Sequence, residues 1–482
     1  MNRVTELLKE YGPMISGDLA RLYEKTYGVS NEAARKAISR AKPPVKRMMS
    51  FKFDKNQIFC YLESQYMSER YKSSLLEAIK NHSKINQTVL NAFAAQGGYV
   101  SKCVLPAFTA APVEKVQGHK MYKKLLEELL RHELIADFNE STYVLNERFF
   151  ENGNYGRAIG LELAKKVIVN DFNRWAREIN LVSFEKGKTL YETPVFAHFQ
   201  WCYTAPSYVQ PLYSYKSEIP GFVIADVFFG KVASVEDLQF FFDKLSIIRS
   251  FKNLPKFFPV LLVDKITPEA LEELKRQKVM VAILNNFFSD KYTELLGDLV
   301  NAFANTTAIV NKNPQMIYKL FEELAKGEGR YNNMAGDMFE LLVGCYYSHI
   351  GCLYLKSKQL IVDLNGSYKE LDWLIERDGK IIVVECKANK SPIGIGFVQK
   401  WLKENIPFTR RWLLDNNYNK NMEFQLWSVG GFTEEANEAL VKEEASVQKY
   451  TISHFAREQM IAMGKKAKDQ SFLEIMKLHF GK

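Results

Sequence analysis

Leu371-Asp372-Trp373-Leu374-Ile375-Glu376-Arg377-Asp378-Gly379-Lys380-Ile381-Ile382-Val383-Val384-Glu385-Cys386-Lys387 is the stretch that decides the fold. Asp378-Gly379 is a tight-turn pair between two runs rich in branched and large apolar residues, which predicts a two-stranded hairpin. Side chains alternate along a strand, so Glu385 and Lys387 point together while Val384 and Cys386 point into the core. Asp372, on the partner strand, can meet them. Two carboxylates and an ammonium at the end of an otherwise apolar hairpin are costly to desolvate without compensation, and a divalent cation supplies one.

Upstream, Gly336-Asp337-Met338-Phe339-Glu340 opens a predicted helix whose apolar face continues through Leu341, Leu342, Cys345 and Tyr346. Glu340 lies on or beside that face, an odd place for a carboxylate with no partner. Downstream, residues 394–404 read as a helix with Phe397, Val398, Trp401 and Leu402 on one face and Gln399 and Lys400 on another. Residues 424–429 read as a strand. Gly430-Gly431-Phe432-Thr433-Glu434-Glu435-Ala436 then leads into a further helix.

That order of acidic helix, strand with Asp, strand with Glu-x-Lys, helix, strand and helix resembles the PD-(D/E)XK, or restriction-endonuclease-like, nuclease superfamily over about residues 331–450. Leu371 stands where the motif's name has proline. The resemblance implies a C-terminal α/β nuclease core within 311–482, with Asp372, Glu385, Lys387, Glu340 and Gln399 as its catalytic group. It further implies that Asp372, Glu385, Glu340 and the backbone carbonyl of Cys386 hold Mg²⁺, or Mn²⁺, since hard oxygen ligands suit both. Such a metal positions and acidifies an attacking water, and Lys387 orients that water or neutralises developing charge. Gln399 is the secondary candidate for the water or the phosphate.

Residues 1–68 read as helix, helix, basic helix and hairpin. Predicted helices cover 5–11 and 17–27, the second capped by Ser16; Ser30 caps a third that runs through Ala41. Strands are predicted over 46–53 and 57–62. This order resembles a winged helix-turn-helix, which implies major-groove contacts from Arg35, Lys36 and Arg40 and phosphate contacts from Lys46, Arg47, Lys52 and Lys55. Between residues 35 and 55 the sole acid is Asp54. Residues 69–150 repeat the plan, with predicted helices at 87–96 and 121–132 and a short hairpin at 134–145, and read as a second winged-helix-like unit.

Residues 151–310 alternate apolar runs with amphipathic stretches, an α/β pattern. Strands are predicted at 222–229, 258–263 and 279–284, with helices at 235–250 and 268–277, the last capped by Thr267. Ile266-Thr267-Pro268-Glu269-Ala270 reads like Phe432-Thr433-Glu434-Glu435-Ala436, which sets Asp226 against Glu385 and Phe228 against Lys387. Two readings stand: a second, degenerate nuclease-like fold, or an unrelated α/β domain with an ordinary capped helix.

Over 482 residues, 65 Lys and Arg against 56 Asp and Glu leave a net charge of +9, a mild basic excess that argues for an acidic partner without naming one; the resemblances above make that partner DNA. A hydrophobic content of 47% with 25% charged residues is that of a soluble globular protein and excludes disordered, collagen-like and coiled-coil classes, and 482 residues with the patterns above predict a multidomain α/β chain. The six cysteines form no CxxC pair and the seven histidines no metal-ligand spacing. The segment around Met338 to Leu355 is interrupted by Glu340 and His349, so no membrane span and a cytoplasmic location are expected. No Walker-type loop occurs, so an ATPase or defence-system component would be a separate partner, and a homodimer is expected by analogy with the superfamily. The function this implies is Mg²⁺-dependent hydrolysis of DNA phosphodiester bonds in restriction or defence, repair or mobile-element processing. An inactive DNA-binding or scaffold protein on the same fold is the alternative. Whether the nucleic acid is DNA or RNA, single- or double-stranded, stays open.

Overall fold

The computed structural model describes residues 2–51, 53–214, 218–289, 291–325, 334–363 and 366–481. The protein is a mixed α/β chain that divides into two compact units. Unit 1 holds Met1–Asn154 and Phe172–Ile283; unit 2 holds Tyr155–Asp171 and Leu284–Lys482. No helix among the described residues is long and apolar enough to cross a membrane.

Unit 1 begins with α1 (Arg3–Tyr11), β1 (Met14–Ile15), α2 (Ser16–Tyr27), α3 (Asn31–Ser39), β2 (Val45–Met48) and β3 (Phe59–Leu62), whose strands form a sheet in the order β1-β3-β2. Ser30 caps α3, its Oγ accepting from the N of Ala33 at 3.3 Å. Ser16, expected as a cap, is instead the first residue of α2. Its Oγ accepts from the N of Ile58 at 3.1 Å, so the hydroxyl ties the helix to the hairpin. The hairpin strands are shorter than expected because Phe51 and Phe53 turn inward and are buried, and Phe53 packs against Phe59.

The chain continues through α4 (Glu69–His82), α5 (Lys84–Ala95), β4 (Tyr99–Ser101), α6 (Tyr122–Arg131), β5 (Ile135–Asp137) and β6 (Thr142–Leu145). Their sheet runs β4-β6-β5, the first sheet's pattern with its third strand central.

Next come α7 (Tyr155–Glu178), of which Tyr155–Asp171 belongs to unit 2, and then β7 (Lys188–Thr189), the two-stranded pair β8 (Val195–Phe196) and β9 (Phe199–Gln200), β10 (Tyr203–Ser207), β11 (Gly221–Phe228), α8 (Gln239–Arg249), β12 (Phe257–Val263), α9 (Pro268–Arg276) and β13 (Met280–Ile283). β7, β10 and β11 are antiparallel neighbours, and β11, β12 and β13 are parallel, in the order β13-β12-β11-β10-β7.

Unit 2 contains α10 (Leu284–Phe287), α11 (Tyr292–Ala304), α12 (Thr306–Lys312), α13 (Pro314–Ala325) and α14 (Ala335–His349), then β14 (Tyr354–Val362), β15 (Tyr368–Arg377) and β16 (Lys380–Lys387). After β16 follow α15 (Ile395–Lys400), a π-helical turn over Trp401–Asn405, α16 (Ile406–Asp415), β17 (Asn421–Ser428), α17 (Glu434–Ser446), β18 (Thr451–Ala456), α18 (Arg457–Ala467) and α19 (Gln470–His479). The helix expected over 394–404 therefore runs on to Asp415. Pro407 cannot donate a backbone hydrogen bond and its ring crowds the preceding turn, so the helix widens there, with the N of Ile406 reaching Trp401 O.

The unit 2 sheet runs β14-β15-β16-β17-β18, antiparallel across its first three strands and parallel across its last three, the same order and directions as the larger sheet of unit 1. The likeness extends to detail. Thr433 caps α17 through the N of Ala436 (3.4 Å) as Thr267 caps α9 through the N of Ala270 (3.3 Å). Ile393 bridges Phe432 as Ala233 bridges Ile266, and both bridges are parallel. One sheet face in unit 2 is sealed by Ile381, Val383, Val398, Trp401, Leu413 and Leu440, each buried, a burial worth about 1.5–3 kcal/mol for each large aliphatic side chain.

Candidate active site

The β15–β16 hairpin forms as its sequence requires, turning at Asp378 (φ 50°) and Gly379 (φ 73°), the left-handed conformations an Asp-Gly turn accepts. Its ladder runs from Arg377–Lys380 to Trp373–Val384. Where it ends, a side chain takes over: Asp372 Oδ2 accepts from the N of Cys386 at 2.7 Å. Lys387 Nζ donates to Glu385 Oε1 at 2.8 Å and to the Cys386 carbonyl at 3.1 Å, and lies 5.4 Å from the Phe397 ring on α15.

Glu340 arrives from α14. Trp373 Nε1 donates to the Glu340 carbonyl at 2.8 Å, pinning the helix to β15. Gly344, one turn further on, permits the contact, because a Cβ there would collide with the Trp373 ring.

Two lysines not anticipated from the sequence complete the group. Lys358 Nζ, on β14, reaches Glu340 Oε2 at 2.7 Å and Asp337 Oδ1 at 3.3 Å. Lys369 Nζ, on β15, lies 3.2 Å from Glu385 Oε2. Leu371 and Leu374 share one core cluster although strict alternation sets residues three apart on opposite faces, so β15 switches face between them. Lys369 shares Leu371's face and is thereby carried to Glu385. Opposite the switch, Lys358 has φ 47°, a left-handed conformation inside a strand that costs on the order of 1–3 kcal/mol. The one available signal was a basic residue on each strand that enters an acidic hairpin end.

Burial and the neighbouring Glu385 charge push the Asp372 carboxyl up to about 7. Burial pushes Glu340 up to about 8, with Lys358 opposing and Asp372 and Asp337 adding to the rise. Burial also raises Glu385, but Lys387 and Lys369 outweigh it and the net direction is downward. Burial disfavours the Lys387 ammonium, yet Glu385 and Asp372 together hold its pKa above the ordinary lysine value. Burial thus prevails at Asp372 and at Glu340, the latter despite its Lys358 partner, while two lysines prevail at Glu385.

In chemistry the donor set fits a hard divalent ion: the Asp372 and Glu340 carboxylates, Glu385 and the Cys386 carbonyl are all oxygen donors. In arrangement it is not assembled, since among the described residues no three His, Cys, Asp or Glu side chains are grouped to hold a metal. Gln399 is exposed on α15 and stands about 200° around that helix from Phe397, the residue whose ring lies near Lys387.

The basic residues of the N-terminal segment have mixed placements. Arg35 and Arg40 are exposed on or at the end of α3. Lys36 is ion-paired with Glu32 at 2.7 Å and Lys46 with Glu63 at 3.2 Å. Arg47 does not project from the hairpin; its guanidinium donates to the carbonyls of Ile38 (3.2 Å) and Ser39, closing the end of α3. Lys52 lies outside the described residues. Arg35 and Lys55, with Arg21 and His82, line a groove of about 1120 Å³ between α2, α3 and the hairpin loop.

No protein-family model and no curated protein matches the sequence. Among solved structures, the small subunit of the heterodimeric restriction endonuclease R.BspD6I is similar over 31% of this chain and 77% of that chain, at 16% identity and a TM-score of 0.19. At that score the likeness carries no argument about this chain.

Proposed function

We propose that the chain is a divalent-metal-dependent nuclease of the PD-(D/E)XK type whose N-terminal segment holds DNA through winged-helix-like units. The observation that carries the reading is the meeting of Asp372, Glu385 and Lys387 at one end of a hairpin, inside a mixed five-stranded sheet, with Glu340 presented by the preceding helix. Asp372, Glu340, Glu385 and the Cys386 carbonyl are the groups that would hold Mg²⁺ or Mn²⁺, which supplies acidification of a water and charge neutralisation at phosphate. Lys387, its charge held by Glu385 and Asp372, donates to Glu385 and to the Cys386 carbonyl, and there would orient a water or neutralise developing charge. The Phe397 ring covers one side of that ammonium and limits its contact with water.

The order α1-β1-α2-α3-β2-β3, with β3 central in its sheet, supports the winged-helix reading, and Arg35 and Arg40 are its exposed cations. The matching strand order, caps and bridges support reading the larger sheet of unit 1 as a degenerate copy of the same core, in which Phe228 replaces the lysine.

One observation favours an inactive DNA-binding protein on this fold instead: Glu340 and Glu385 each have a lysine partner, and among the described residues no metal-holding group of three is assembled. Nicking of supercoiled plasmid in Mg²⁺ against EDTA separates the two. The nuclease reading expects nicked or linear product in Mg²⁺ alone; absence of product in both Mg²⁺ and Mn²⁺ leaves the binding protein.

A further inference from the structure

Lys358 is the unexplained member of the site. It sits within β14 between the pairs Ser357–Trp373 and Gln359–Leu371, directly across from Asp372, with its backbone at φ 47°. Strained backbone of this kind persists where the surroundings over-determine it. The surroundings here are the two carboxylates of α14, with Glu340 at 2.7 Å and Asp337 at 3.3 Å, and a side chain only 14% exposed. Lys358 also lines a cavity of about 320 Å³ together with Ser357, Asn305, Thr306 and Thr307, so there is open space next to this residue.

The charges explain why a metal-holding triad is not assembled. Glu385 is shared by Lys387 and Lys369, Asp372 takes the Cys386 amide, and Glu340 with Asp337 takes Lys358. The cation between the helix and the strand is therefore a side chain.

We propose that Lys358 is the internal counter-ion of the site: it stands beside Glu340 and Asp337 where a divalent ion would be held, and moves to a nucleic-acid phosphate when the metal enters. This rests on the nuclease reading above. Lysine is a compact charge on a flexible four-carbon stem, suited to exchanging one anion for another. Leaving a carboxylate with no anion to replace it is unfavourable, so metal binds weakly to the free protein and more strongly once phosphate is present. The coupling is reciprocal, and nucleic acid binds more tightly with metal by the same factor.

Calorimetry on the full chain tests this, with Ca²⁺ as the metal and a duplex oligonucleotide as the phosphate source. Wild-type protein is expected to bind Ca²⁺ about tenfold more tightly with duplex than without, a typical size for a coupling between sites. Lys358→Met is expected to bind Ca²⁺ about tenfold more tightly than wild type in the absence of duplex, with the duplex enhancement lost, and Lys358→Arg to retain the wild-type coupling. Equal Ca²⁺ affinity of wild type with and without duplex overturns the proposal and needs no variant. So does a folded Lys358→Met protein with unchanged or weaker Ca²⁺ binding. If wild type still nicks plasmid in Mg²⁺ in those cases, the nuclease reading stands alone; if no form binds Ca²⁺ under any condition and no nicking occurs, both fall.

Discussion

The Lys244 ammonium rests on the Asp226 carboxylate with neither side chain exposed to solvent. Asp226 is the sixth residue of the eight-residue β11, as Glu385 is the sixth of the eight-residue β16. In β16 the partner lysine follows two residues later; in β11 that position is Phe228, and the ammonium comes from α8. It is saturated there, donating also to Ala107 O at 2.8 Å and Gln200 O at 3.1 Å and lying 4.0 Å from the Trp201 ring. Such an acid has no room for a ligand and serves structure. Lys244→Met strands a buried carboxylate and is expected to cost about 3–5 kcal/mol in denaturant unfolding. Adding Asp226→Leu should recover part of that loss, and plasmid nicking per folded molecule should be unchanged in both. A folded variant that has lost nicking would make Asp226 and Lys244 part of the active centre.

The second expectation concerns how α14 approaches the sheet. Gly344 lies against the Trp373 ring, and the same ring's Nε1 holds the Glu340 carbonyl. Gly344→Ala, favourable for an isolated helix, should here force helix and strand apart and destabilise by about 1–3 kcal/mol. Thermal melting checks the sign. A stabilised variant would mean that α14 does not pack this closely.

Much of the C-terminal site is legible in the sequence because it rests on local chemistry. The Asp-Gly turn, strand alternation and Thr caps depend on neighbours along the chain, so the hairpin, Asp372, Glu385 and Lys387 can be placed from residue order alone. What escapes depends on distant partners. Lys369 reaches Glu385 because β15 switches face between Leu371 and Leu374, and Lys358 reaches Glu340 through one left-handed residue. Ser16 reads as a helix cap and Arg47 as a phosphate-facing cation, yet each spends its hydrogen bonds on another element. Lys244 escapes for the same reason, since nothing in α8 names its partner on β11.

A histidine outside the site gives a pH dependence. Burial lowers His479, at the end of α19, from 6.5 to about 4. The folded protein therefore prefers the neutral ring, while the unfolded chain takes up a proton as pH falls below 6.5. Stability is full above about pH 6.5 and is lost as pH falls toward 4. Partial exposure of the ring keeps the effect to a modest fall in melting temperature between pH 7 and pH 5. His479→Gln should flatten that slope, and an unchanged slope would rule His479 out as its source.

The catalytic expectation separates chemistry from binding. Asp372 is a prospective metal-holding group, and Lys387 is the ammonium beside Glu385, so neither is needed by the basic N-terminal face that would hold DNA. Asp372→Ala and Lys387→Ala should each lower Mg²⁺-dependent nicking by at least about a hundredfold, the loss usual when a charged group is removed from a catalytic centre. Duplex binding, measured by fluorescence anisotropy in EDTA, should stay within about twofold, because on the proposed reading the contacts that position DNA would come from the cations of the N-terminal segment. The two variants should also differ. Asp372→Ala should weaken Ca²⁺ binding measured by calorimetry, whereas Lys387→Ala removes no oxygen ligand and should leave it intact or stronger. Full nicking by either variant would remove that residue from the mechanism, and loss of duplex binding by both would mean that this hairpin, not α3, is the principal DNA contact.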